Sequence, residues 1–101
     1  MLEISISPVS NQSLNITLNE QNCTIKIYLL STGLFFDLAK DNEPIVTGVI
    51  CQNLNLLVRK SYTGFIGDLV FLDTQGVDDP VYTGLGERFL LMYLEPEDLI
   101  H

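Results

Sequence analysis

The chain has 101 residues, 47% of them apolar and 18% charged, with 13 acidic against 5 basic side chains and a net charge of −8. That length argues for one domain, residues 1–101, able to build a modest core without disulfide staples. The balance excludes a nucleic-acid grip built on a basic patch, since the sole adjacent basic pair is Arg59-Lys60. Charge below the ~25% of an ordinary soluble domain suggests that part of the surface is not meant to face water.

Period-two alternation opens the chain. Leu2, Ile4 and Ile6 oppose Glu3, Ser5 and Ser7; Leu14, Ile16 and Leu18 oppose Ser13, Asn15 and Thr17; Cys23, Ile25, Ile27 and Leu29 oppose Thr24, Lys26 and Tyr28. Such alternation predicts three strands with one wet face, joined by turns over Pro8–Asn11 and Asn19–Asn22. The start, Met1-Leu2-Glu3-Ile4-Ser5, lacks a basic leader and a continuous apolar stretch, so no secretion is expected, and the three Asn-X-Ser/Thr sequons at Asn11, Asn15 and Asn22 carry little weight. No apolar run approaches the ~20 residues of a membrane span.

After a turn at Ser31-Thr32-Gly33, Leu34–Leu38 reads as a fourth strand. The cluster Asp41-Asn42-Glu43-Pro44 predicts a tight turn, because Asp and Asn bond their own backbone and Pro presets φ. Ile45–Ile50 is a fifth strand, with Gly48 marking a bulge, and Asn53–Val58 is a short sixth strand, a helical turn being its alternative. A glycine-bearing stretch, Ser61–Gly67, leads to a seventh strand over Asp68–Asp73, and Glu87–Leu94 forms an eighth. The tail from residue 95 contains Pro96 before carboxylates, which suits one helical turn; nothing else looks helical. Tyr62-Thr63-Gly64 and Tyr82-Thr83-Gly84 are two similar turns, or a repeat. The fold expected is all-β, a small antiparallel sandwich or partly open barrel of about seven to eight short strands.

Leu69-Val70-Phe71-Leu72 and Phe89–Leu94 are apolar on both faces, so each needs cover twice, from its own domain or from a neighbour. Phe89–Leu94 is expected at the centre of its sheet.

Catalytic chemistry has few candidates. The one histidine is His101, the last residue, which leaves no Ser-His or Cys-His pairing. Asp78-Asp79 and Glu97-Asp98 read as solvated turns rather than a carboxylate pair across a cleft. Asp73–Asp79 lacks EF-hand spacing, and Gly84-Leu85-Gly86-Glu87 precedes a strand, not the helix a phosphate loop requires. Cys23 and Cys51 are too few for a metal cluster; Cys23 shares the parity of the apolar face, and buried free thiols are the reading favoured over a disulfide. No enzyme, cofactor or metal is expected. The aromatic residues suggest contact instead. Phe35 and Phe36 point to opposite sides of one strand, so with Phe36 in the core Phe35 lies outside, unless a second internal layer covers it. Val81 and Tyr82, in the acidic loop Asp73–Gly86, are similar candidates.

From Leu34 onward the signals take a distinctive order. Leu34-Phe35-Phe36-Asp37-Leu38 is followed by Pro44–Val49 and Asn55-Leu56-Leu57. Then come Gly64-Phe65-Ile66-Gly67-Asp68-Leu69-Val70, Asp79-Pro80-Val81-Tyr82 and Leu85–Tyr93. This series, with the earlier Asn11-Gln12-Ser13-Leu14, resembles the phage baseplate plug family of contractile tails. The resemblance implies a structural protein of the virion, assembled in the host cytoplasm. It would lie centrally between tail tube and hub and help close the distal lumen. Implied partners are copies of itself and tube, hub or spike proteins, met through Phe35, Asp78, Asp79, Pro80, Val81 and Tyr82. Carboxylates ringing such a channel would keep DNA from sticking. The alternative is a small β module that binds a sugar or apolar molecule, against which the absence of Trp counts.

Overall fold

The computed structural model describes residues 2–58 and 65–96. The basic pair Arg59-Lys60, the Tyr62-Thr63-Gly64 turn, the tail carboxylates and His101 lie outside the described residues.

Seven antiparallel strands form two open sheets, a sandwich rather than a closed barrel: β1 (Leu2–Ile4), β2 (Asn11–Leu18), β3 (Gln21–Leu30), β4 (Gly33–Lys40), β5 (Glu43–Ile50), β6 (Asp68–Asp73) and β7 (Phe89–Leu94). Strands β2 to β5 make a four-stranded meander. Its first hairpin turns through Asn19-Glu20, with φ of 49° and 63°, and its third through Asp41-Asn42, with φ of 51° and 67°. Two central residues at positive φ give the turn whose twist matches that of the flanking strands. The β2–β3 ladder is unbroken from Asn11↔Tyr28 to Leu18↔Gln21. By contrast β4–β5 shifts register twice, between Phe36 and Leu38 and between Leu38 and Ala39. The expected bulge at Gly48 is present: φ is +66° and its N–H leaves the ladder for Asp37 Oδ1, 2.7 Å away.

The second sheet has the order β1-β7-β6, so β7 is central, as its two apolar faces require. Phe89, Leu91 and Tyr93 on one face are buried, together with Leu69 and Phe71 of β6 and Ile4 of β1. They pack against Ile25, Ile27, Phe36 and Leu38 of the larger sheet in one hydrophobic cluster. Phe36 and Phe71 meet edge to face across it, centroids 6.4 Å apart. The opposite face of β6 and β7 carries Val70, Leu72, Leu90 and Met92, of which the last three remain half-buried. Gln21 is a buried polar residue fully used: its amide donates to the Leu18 and Ile66 carbonyls and accepts from Ile66 N–H.

Three expectations need correction. Asn53–Val58 is not a sixth strand. Leu54 sits at φ +59°, Asn55 N–H turns back to the Gln52 carbonyl, and the segment touches β6 only at separate points. The first strand ends at Ile4 instead of running to Ser7, and the last starts at Phe89, because Gly86–Arg88 form a turn. Tyr82–Gly84 adds a short 3-10 turn where no helical residue was expected.

Cys23 and Cys51 are free, buried thiols, as the alternation predicts for Cys23. Burial pushes the Cys51 thiol up to about 12 and raises that of Cys23. Neither thiol should react with a soluble disulfide reagent at pH 8 in the native protein, and both should react in denaturant; rapid native reaction would show an open core. Leu91 is fully buried opposite Ile4 and Phe71. Leu91→Asp places an unpaired carboxylate there, at a cost comparable with a total stability of about 5–15 kcal/mol. The variant should lose its cooperative melting transition by circular dichroism, and a folded variant would show the core to be elsewhere.

Candidate partner interface

The acidic loop between β6 and β7 is built on one ion pair. Asp73 ends β6 and Arg88 immediately precedes β7, so pairing of the two strands brings them together. Arg88 Nε donates to Asp73 Oδ1 and Nη2 to Oδ2, both at 2.8 Å, a bidentate fork. The Asp73 side chain is wholly buried, and it also accepts from the Gln75 and Asp78 amides at 2.9 Å each. The Arg88 Nη2 group turns further to Asp78 Oδ2 at 2.8 Å, while its guanidinium lies 4.9 Å from the Phe89 ring centroid. Arg88 and the two amides hold the Asp73 carboxyl well below the usual carboxylate range, against the opposing effect of burial. Arg88 is pushed up in turn, chiefly by Asp73.

The rest of the loop is tied down at intervals. Thr74 donates from both N–H and Oγ1 to the Arg88 carbonyl, at 2.9 and 2.7 Å. Asp79 Oδ1 accepts from Asn53 N–H at 3.0 Å, linking the loop to the irregular segment beside β6. Gly86, at φ +82°, passes so close to the Ile6 carbonyl that a Cβ would sit 2.2 Å from its oxygen; glycine is required there. What the braced loop presents outward is aliphatic and acidic: Val77 is 83% exposed, Val81 52% exposed, and the exposed Asp78 and Asp79 lie between them.

The expected contact residues therefore separate. Val81, Asp78 and Asp79 lie on the surface, although Asp78 is shared with Arg88 and Asp79 with Asn53. Pro80 is buried, and Tyr82 packs partly against the core. Phe35 belongs to a different surface, the outer face of the four-stranded sheet. It is half-buried there and stacked on Tyr28 at 6.1 Å between centroids, with Ile50 as its exposed neighbour on β5. Tyr28 OH donates to Asp37 Oδ1 at 2.8 Å, and this bond raises the phenol's pKa. Sequence reasoning missed Asp73, Arg88 and Asn53 as the frame of the loop. The available signal was an acid closing one strand and a base opening the next.

Among the described residues no cluster of His, Cys, Asp or Glu is arranged to hold a metal. An open groove of about 470 Å³ lies beside β5, lined among the described residues by Ile45, Val46, Val49, Ile50, Leu57 and Val58 with Thr47 and Gln52, none of them titratable. No helix among the described residues is long and apolar enough to cross a membrane.

The fold is a small all-β sandwich, and the braced acidic loop between β6 and β7 is its most elaborated surface. A family model described as cyanophage baseplate Pam3 plug gp18 matches residues 1–97, and the chain belongs to this family of phage baseplate plugs. No curated protein matches it. Membership gives the chain a structural role in the baseplate of the virion tail, in assembly with other tail proteins.

The clasp has a pH signature. Because the folded-state pKa of Asp73 lies below its unfolded value of about 4, the stabilisation is complete above that pH and is lost as pH falls through the folded pKa. Amide protection at Gln75 and Asp78, corrected for intrinsic exchange, should hold from pH 7 to about 5 and decline below about 4. Asp73→Asn should lower that protection at neutral pH while the β2–β5 amides stay protected. Unchanged loop protection in this variant would show that the clasp does not order the loop.

Proposed function

We propose that the protein sits at the centre of a contractile-tail baseplate, between tail tube and hub, and helps close the distal end of the lumen. The observation that carries this reading is the family match over residues 1–97. The fold suits it: residues 1–101 act as one building block, with no catalysis and no cofactor, assembled in the host cytoplasm with copies of itself and with tube, hub or spike proteins. Two surfaces carry the contacts. One is the loop around Asp78, Asp79, Pro80, Val81 and Tyr82, where Pro80 and Tyr82 anchor and Val77 and Val81 project. A braced loop binds with little ordering entropy left to lose. The other is the outer sheet face around Phe35, with Tyr28 and Ile50 beside it. The net charge of −8 suits a lumen wall that nucleic acid passes without adhering.

The test is incorporation. Val77→Asp combined with Val81→Asp alters two exposed positions and should leave the melting transition within about 0.5 kcal/mol of the parent. Tails purified from phage complemented with this variant should contain it at a tenth of the parent level or less. Undiminished incorporation would remove the loop as an interface, and absence of the parent protein from purified tails would remove the role.

A further inference from the structure

Two open sheets present four edges, and three of them are protected. Beside β6, Leu54 N–H and Leu57 N–H donate to the Phe71 and Leu69 carbonyls, at 2.8 and 2.9 Å. Strand β1 is three residues long and includes Glu3. Strand β5 carries Glu43, Pro44 and two breaks of register. Short strands, charges, proline and bulges are the usual means of keeping an edge from pairing.

Strand β2 has none of them. It runs eight residues, Asn11–Leu18, in unbroken register with β3, and contains no charge, proline or glycine. The neutral stretch around it extends from Ile4 to Asn19 in a chain of net charge −8. Leu29 N–H donates to the Ser10 carbonyl, which fixes the phase of the ladder. Even-numbered residues bond to β3, and the backbone N–H and C=O of Asn11, Ser13, Asn15 and Thr17 point out from the edge. Leu14 and Ile16 contact the core yet stay half-buried at this margin.

We propose that β2 is an association edge whose occupant is β2 of a second copy, antiparallel across a two-fold axis. A two-fold contact sets a strand against itself. On β1 that would set Glu3 against Glu3, whereas β2 brings no charge to the contact. The register that pairs every outward residue places Leu14 opposite Leu14, Ser13 opposite Asn15 and Asn11 opposite Thr17. It joins two four-stranded sheets into one and covers the open flanks of Leu14 and Ile16. The pairing is independent of the tail position proposed above.

The mass of the full chain, measured by sedimentation equilibrium from micromolar to millimolar concentration, should rise from 11.3 kDa toward twice that value. Ser13→Pro deletes an outward N–H that β3 does not use, so the fold should persist while association weakens about tenfold or more. Should Ser13→Pro fail to fold, cysteine cross-linking decides the matter, since both native thiols are buried. Leu14→Cys should form a disulfide-linked dimer under mild oxidation, the facing Cα atoms being about 4.5 Å apart. Thr17→Cys, opposite Asn11, should not. A monomer at every concentration, cross-linking at Thr17 but not Leu14, or a folded Ser13→Pro variant with undiminished association would each overturn the pairing.

Discussion

A sheet with an apolar face must bury that face against another layer, and this molecule depends on how its three-stranded sheet is covered. Leu69, Phe71, Leu91 and Tyr93 must all meet the larger sheet at once, and Ile25, Ile27, Phe36 and Leu38 supply the surface. The two sheets are mutually dependent: the meander is half a sandwich without β7, and β7 has no reason to be flat and central without the meander. Each fully buried aliphatic or aromatic side chain in this layer contributes about 1.5–3 kcal/mol against the chain's conformational entropy. The surface features rest on that layer. The loop between β6 and β7 starts and ends where it does because those strands are held in register, and Asp73 and Arg88 meet as a result.

The clasp in turn decides what the loop shows at the surface. A buried carboxylate needs its hydrogen-bonding capacity filled. Asp73 fills it with the guanidinium and two amides of its own loop. Asp73 is therefore directed inward, while Asp78 and Asp79 stay at the surface with two projecting valines.

The sandwich was largely legible because its cues are local. Alternation in Leu14–Leu18 and Cys23–Leu29, the Asp41-Asn42 turn and the Gly48 bulge each follow from neighbours in sequence. The double-sided run Phe89–Leu94 placed itself at a sheet centre by composition. Asn53–Val58 misled because its first four residues alternate, while its real constraint is distant: Leu54 and Leu57 bond to carbonyls of β6. The loop's structure was half legible for the same reason. Residue type marked Val81 and Asp78 as surface groups, but the burial of Pro80, the use of Asp79 by Asn53 and the Asp73–Arg88 pair are tertiary facts. Phe35 and Phe36 show the limit well: parity separated them, and the Tyr28 stack that places Phe35 outside is visible only once β3 and β4 are paired.

The pairing of β1 with β7 joins the first strand of the chain to the last, with Leu2 beside Tyr93. Every other ladder links strands adjacent in sequence, so their loops are cheaper to close, the entropic cost rising with loop length. The meander consists of near-neighbour contacts, whereas the smaller sheet requires nearly the whole chain to be present before its third strand docks. Such non-local pairing raises the mean sequence separation of contacts and slows folding, because the entropy of loop closure is lost before the contact forms. A nascent chain thus exposes the apolar face of β3 and β4 until β7 is synthesised.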